Sequence, residues 1–83
     1  MEINFSNASE EEVKIFYKRI SENVKYYREQ KKMTQLEMAL EIGIKSVAFY
    51  SNCENLRNEK HFNLEHLYKI SKALNIKIID LIK

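Results

Sequence analysis

Few side chains in this sequence are placed to make or break bonds. His61 and His66 have no cysteine or carboxylate grouping at metal-ligand spacing. Cys53, the one cysteine, lacks the histidine–carboxylate constellation that would activate a thiol. A free cysteine of this kind reads as a small buried apolar group. Glu10, Glu11 and Glu12 are consecutive, so on a helix they face different directions and form no paired acid and base. A glycine-rich phosphate loop is absent from a chain with one glycine. These readings predict no enzyme activity, no metal and no cofactor. What remains is polar and cationic chemistry concentrated around the stretch Thr34–Asn55 and the loop after it.

That stretch needs elements to hold it. Thr34 followed by Glu37 has capping-box spacing, which predicts a helix start. The helix places Met38, Ala39 and Ile42 on one face and ends at Gly43, which can take the positive φ of a sharp turn. Ile44 returns to the core, and Lys45 lies in the turn. Ser46 caps a further helix through Val47, Ala48, Phe49, Tyr50, Ser51, Asn52 and Cys53. The order of cap, apolar pair, small residue, glycine, apolar residue and cap is that of a helix-turn-helix.

The flanks also read as helical. Ser9 and Glu12 form another capping box. Val13, Phe16, Tyr17, Ile20, Val24 and Tyr27 then fall in steps of three and four, up to Lys31 and Lys32. A helix over residues 9–31 is roughly 34 Å long at 1.5 Å per residue, so its first half is expected to project. Residues 1–8 are expected to be loose, with Ile3 and Phe5 able to tack them to the body. Residues 55–62 read as a polar loop carrying Arg57, Lys60 and His61. Asn63 caps a fourth helix with Leu64, Leu67, Tyr68, Ile70, Ser71 and Leu74 along its inner side, and Asn75 ends it. The last turn, 78–82, is apolar apart from Asp80.

Eighty-three residues predict one domain over 1–83. A domain this small buries only roughly 60% of its unfolded surface, so a dimer would add stability. The lack of proline, and of any Asn-Gly or Asp-Gly pair, disfavours tight hairpins and predicts an all-α chain. The lone cysteine fits a reducing compartment, and neither a leader pattern nor a membrane span is evident; a cytoplasmic location is expected. Residues 1–12 hold four of the twelve acids and no base. The rest carries all fourteen basic side chains against eight acids, a net of +6. Such a body suits an anionic partner with the acidic end turned away.

Over residues 20–82 the chain resembles the Xre-type, lambda-repressor-like helix-turn-helix family. The resemblance runs through Ile20, Val24, Tyr27 and Arg28, then Met33-Thr34-Gln35, Met38-Ala39 and Ile42-Gly43-Ile44. It continues in Ser46, Phe49-Tyr50-Ser51 and Cys53-Glu54-Asn55, and closes in Asn63-Leu64-Glu65, Leu67, Lys69-Ile70 and Lys72 to Ile76. It implies a five-helix DNA-binding fold over residues 20–82, here with an extended N-terminal helix and an N-terminal extension spanning residues 1–19. The chain departs from the pattern at an extra turn residue, placed at Lys45, and in a longer loop before Asn63. Leu56 stands where glycine is usual, and Cys53 where a bulkier apolar residue is common.

The family docks its third helix in the major groove. The resemblance therefore implies base contacts from Ser46, Val47, Ala48 and Asn52. Asparagine can read adenine with two hydrogen bonds, whereas Val47 and Ala48 can touch only thymine methyls. Gln35 is implied as a phosphate contact, and Lys45, Asn55, Arg57, Asn58 and Lys60 border the third helix as further ones. Arg28 and Glu54 match an internal ion pair. Dimerisation is expected through Ile76, Ile78, Ile79, Leu81 and Ile82, through the projecting first helix, or both. The leading expectation is a transcriptional repressor acting on double-stranded DNA as a homodimer. The alternatives are an antitoxin that binds a toxin protein through the N-terminal helix, a restriction-system controller or a phage repressor.

Overall fold

The computed structural model describes residues 7–83. Five helices follow in order: α1 Glu10–Gln30, α2 Gln35–Glu41, α3 Val47–Asn55, α4 Leu64–Leu74 and α5 Ile78–Ile82. A 3-10 turn over Arg57–Glu59 joins α3 to α4, and the described residues contain no strand. The expected attachment through Ile3 and Phe5 lies outside the described residues.

The helix starts follow from short polar side chains. Ser9 Oγ accepts from Glu12 N at 3.1 Å, and Ser46 Oγ accepts from Phe49 N at 3.1 Å. Thr34 and Glu37 cap each other reciprocally at 3.0 and 2.8 Å. Asn63 and His66 form a similar box, with Asn63 Oδ1 accepting from His66 N at 2.7 Å. In return Asn63 N donates to His66 Nδ1 at 3.1 Å, which requires an unprotonated Nδ1.

That box makes α4 sensitive to acid. Burial pushes the His66 imidazole below its ordinary value. Folding therefore favours the neutral ring. Its contribution is full above about pH 6.5 and is lost as pH falls through the lower folded value. Protonation turns the Nδ1 acceptor into a donor, and we expect a loss of about 0.5–1 kcal/mol, the worth of a cap. A melting series from pH 7 to pH 5 checks this. In His66→Gln, whose side chain can still accept, the step should disappear.

The exits of α1, α2 and α4 are closed alike. Lys32 (φ 58°), Gly43 (φ 78°) and Asn75 (φ 55°) are left-handed. The next residue then donates five back: Met33 N to Arg28 O, Ile44 N to Ala39 O and Ile76 N to Ser71 O, at 2.8–3.1 Å. At Gly43 a side chain would meet nothing nearby, so the backbone angle alone calls for glycine. Leu56 closes α3 at φ 55°, where the family pattern has glycine. Lysine and leucine in this region each cost roughly 1–2 kcal/mol. Leu56 is half-buried there, while Lys32 is exposed.

The core joins the second half of α1 to every other helix. It contains Ile20 and Val24, Met38, Ala39 and Ile42, Tyr50 and Cys53, Leu67, Ile70 and Leu74, and Leu81. Phe62, expected in a polar loop, is also buried, with its ring 5.3 Å from that of Tyr50. Two residues expected on the inner side of α4 point outward instead: Leu64 is 75% exposed and Tyr68 57%. They lie one helical turn apart, beside a buried stripe of Leu67, Ile70, Ser71 and Leu74 that is narrower than the sequence suggested. Polar clasps fix the packing. Asn23 Nδ2 donates to the carbonyls of Leu81 and Lys83, tying α1 to the end of α5. Ser21 Oγ donates to Cys53 O, tying α1 to α3.

The first half of α1 leaves this body. The described residues together extend over 47 × 25 × 18 Å, and their radius of gyration is 13.7 Å, against roughly 12 Å for a compact chain of this length. Val13, Ile15 and Phe16 are exposed. Tyr17 reaches back, stacking on His61 at 4.0 Å.

Candidate nucleic-acid interface

The platform beneath α3 is a buried carboxylate. Glu54, near the end of α3, has a fully buried side chain. Arg28 of α1 grips it with two parallel bonds, Nε to Oε2 and Nη2 to Oε1, both 2.9 Å. Tyr50 OH donates to Oε2 at 2.8 Å and Gln35 Nε2 to Oε1 at 3.1 Å. Arg28 Nη1 also donates to Met33 O at 2.7 Å, at the start of the α1–α2 connection. Burial pushes the Glu54 carboxyl up, but the bonds from Arg28, Tyr50 and Gln35 outweigh it and hold the group below the usual carboxylate range. The hydrogen bond to Glu54 holds the Arg28 guanidinium above its ordinary value. Burial, with Glu54 adjacent, pushes the Tyr50 hydroxyl well up. The network links α1, α2 and α3, and so sets the angle between the two helices of the motif.

With Tyr50, Cys53 and Glu54 turned inward, helical periodicity turns Ala48, Ser51, Asn52 and Asn55 outward, while Val47 shares the stripe of Tyr50 and Glu54 and is exposed as the first residue of the helix. Val47, Ala48 and Asn55 are exposed, while Ser51 and Asn52 are half-buried. Ser46 is exposed at the head of α3, its oxygen already engaged as the cap. Asn55 Nδ2 donates to Ser51 O and Ser51 Oγ at 2.9 and 3.2 Å, so these two side chains form a unit. The family resemblance does not mark Ser51 as a contact residue. Its spacing of three from Ala48 and four from Asn55 is the signal that places it on this face.

The charged border has two sides. Lys45 is exposed in the turn before α3. Arg57, Asn58 and Lys60 are exposed after it, with Asn58 left-handed at φ 55°. Gln35 is half-buried at the first position of α2, with one amide N–H committed to Glu54. At the C-terminus Leu81 is fully buried in its own chain's core. It therefore serves the fold rather than an outer surface. Ile79 is exposed, and Ile76, Ile78 and Ile82 are half-buried.

The residues considered for bond-making chemistry are used structurally. Cys53 is buried, and burial pushes its thiol up. His66 caps α4, and His61 stacks on Tyr17. Among the described residues no three His, Cys, Asp or Glu side chains gather as metal ligands, and no helix is long and apolar enough to cross a membrane.

Two helices meeting across a left-handed glycine, with the outer face of the second left free, define a helix-turn-helix DNA-binding domain. A family model described as helix-turn-helix matches residues 24–81. The match spans well over half of the chain, which therefore belongs to this Xre-type, lambda-repressor-like family. No curated protein and no solved structure was found to match. Membership makes the chain a DNA-binding helix-turn-helix regulator.

Proposed function

We propose that this protein is a sequence-specific transcriptional repressor that binds a pseudo-palindromic operator as a homodimer. The observation that carries this reading is the outward face of α3, free of core duties and bordered by Lys45, Arg57 and Lys60. In this reading α3 enters the major groove. Asn52 reads a base edge, while Val47 and Ala48 meet thymine methyls. Ser46 and Ser51 have hydroxyls positioned for the same groove. Gln35, Asn55, Asn58 and the three cations hold phosphates and set the register. A face with so few base-reading groups leaves a large share of specificity to DNA shape.

Selection of bound sequences from random DNA, followed by gel shifts, tests the reading. An inverted repeat with half-sites about 34 Å apart is expected. Asn52→Ala should then relax preference at one adenine by about 1–3 kcal/mol, the worth of a bidentate contact. Absence of any sequence-specific retardation would overturn it. A second reading, an antitoxin, is favoured by the exposed start of α1. A chain lacking residues 1–17 that keeps DNA binding but loses a co-purifying protein would support that role.

A further inference from the structure

The projecting half of α1 carries an apolar strip that is exposed among the described residues. Val13 and Phe16 are each 43% exposed, one helical turn apart. The core begins only at Ile20. The charges around the strip are sorted by position. Glu10, Glu11 and Glu12 occupy the first turn, and Lys14, Lys18 and Arg19 follow, with no acid between them. All six are exposed, and none takes part in an ion pair within the described residues.

We propose that this strip is where a second copy of the chain docks, α1 against α1 and antiparallel. The sorted charges argue for that occupant and that direction. A parallel pair would set acids against acids and bases against bases. An antiparallel pair sets the acidic turn of each copy against the basic turns of the other. Glu12 and Arg19 are seven residues apart, two helical turns, so they lie on the same flank of the Val13–Phe16 strip. A two-fold axis near Phe16 brings Glu12 of each copy beside Arg19 of the other, twice per dimer. The apolar centre is then Val13 and Phe16 from both copies. The isologous geometry closes on itself and needs no further partner. Such a contact is small, so the dimer should be reversible and concentration-dependent.

This assigns a surface to the dimer that the operator-binding reading calls for. Its test uses the full chain without DNA, so the two can fail separately. Sedimentation equilibrium at low salt should show a monomer–dimer equilibrium. Glu12→Arg and Arg19→Glu should each weaken it at least tenfold, because each places like charges together twice. The double variant, with both changes, should restore it, since the swapped pair is again complementary. Phe16→Ser should abolish it, with the helical circular dichroism spectrum retained in every variant. A monomer at all concentrations would overturn the proposal. So would a dimer indifferent to Phe16→Ser, or a double variant no stronger than the singles, either of which would put the contact elsewhere. A monomeric chain that still retards an operator fragment would leave the DNA-binding reading standing.

Discussion

Replacing Arg28 with alanine is expected to lower stability by about 3–5 kcal/mol, the cost of stranding one partner of a buried ion pair. Glu54 would keep Tyr50 and Gln35 as donors but lose the one cation bonded to it among the described residues. In a domain this small each kcal/mol moves the melting temperature by about 4–8 °C, so the shift should be large. Two further measurements separate a stranded charge from simple lost packing. The Glu54 carboxyl is held below its ordinary value in the native chain. Its stabilising contribution is therefore full above the unfolded carboxylate value of about 4.3 and is lost as pH falls through the lower folded value. Without Arg28 that contribution is gone, and burial instead favours the protonated acid. The deficit of Arg28→Ala relative to the native chain should thus shrink on acidification. Combining Arg28→Met with Glu54→Leu should lose less than Arg28→Ala alone, because no buried charge remains. An unchanged melting curve for Arg28→Ala would overturn the structural role given to this pair.

Changing Lys45, Arg57 and Lys60 together to alanine should produce the largest loss of DNA affinity. If each cation holds one phosphate per copy, a dimer loses six contacts. A complex resting on that many contacts weakens by about 1000-fold or more between 50 and 200 mM salt, and the logarithmic slope falls by about 0.9 per contact removed. The triple variant should therefore bind weakly at low salt and show a much flatter salt dependence. All three residues are exposed, so the melting temperature should be little changed. Equal slopes for the variant and the native chain would show that these side chains do not touch the backbone of the duplex. Asn52→Ala, by contrast, should alter the preferred sequence and leave the slope alone, since a base contact releases no counterions.

Much of the motif was legible along the chain because its signals are local. Caps at Ser9, Thr34, Ser46 and Asn63 each depend on a side chain reaching a backbone N–H three residues on. Gly43 and Asn75 carry the left-handed angles that their residue types tolerate. The pairing of Arg28 with Glu54 is different. Twenty-six residues separate them, and in the sequence only the resemblance to a known pattern joins them.

The sequence by itself determined an all-helical chain, the helix order, the sharp turn at Gly43 and an α1 too long for its body. These follow from capping, periodicity and backbone freedom, which act over a few residues. Tertiary structure alone decided which apolar residues are core. Phe62 is drawn inward from a polar loop because Tyr50 lies beneath it, whereas Leu64 and Tyr68 face out because the packed stripe of α4 is narrow. It also decided that Leu81 belongs to the core, held under α1 by Asn23. Lys32 and Leu56 take left-handed angles that neither residue prefers, because the chain must turn there for Arg28 to meet Glu54 and for Phe62 to reach Tyr50. Burial and long-range pairing depend on the sum of all packed neighbours, and no window of sequence contains that sum.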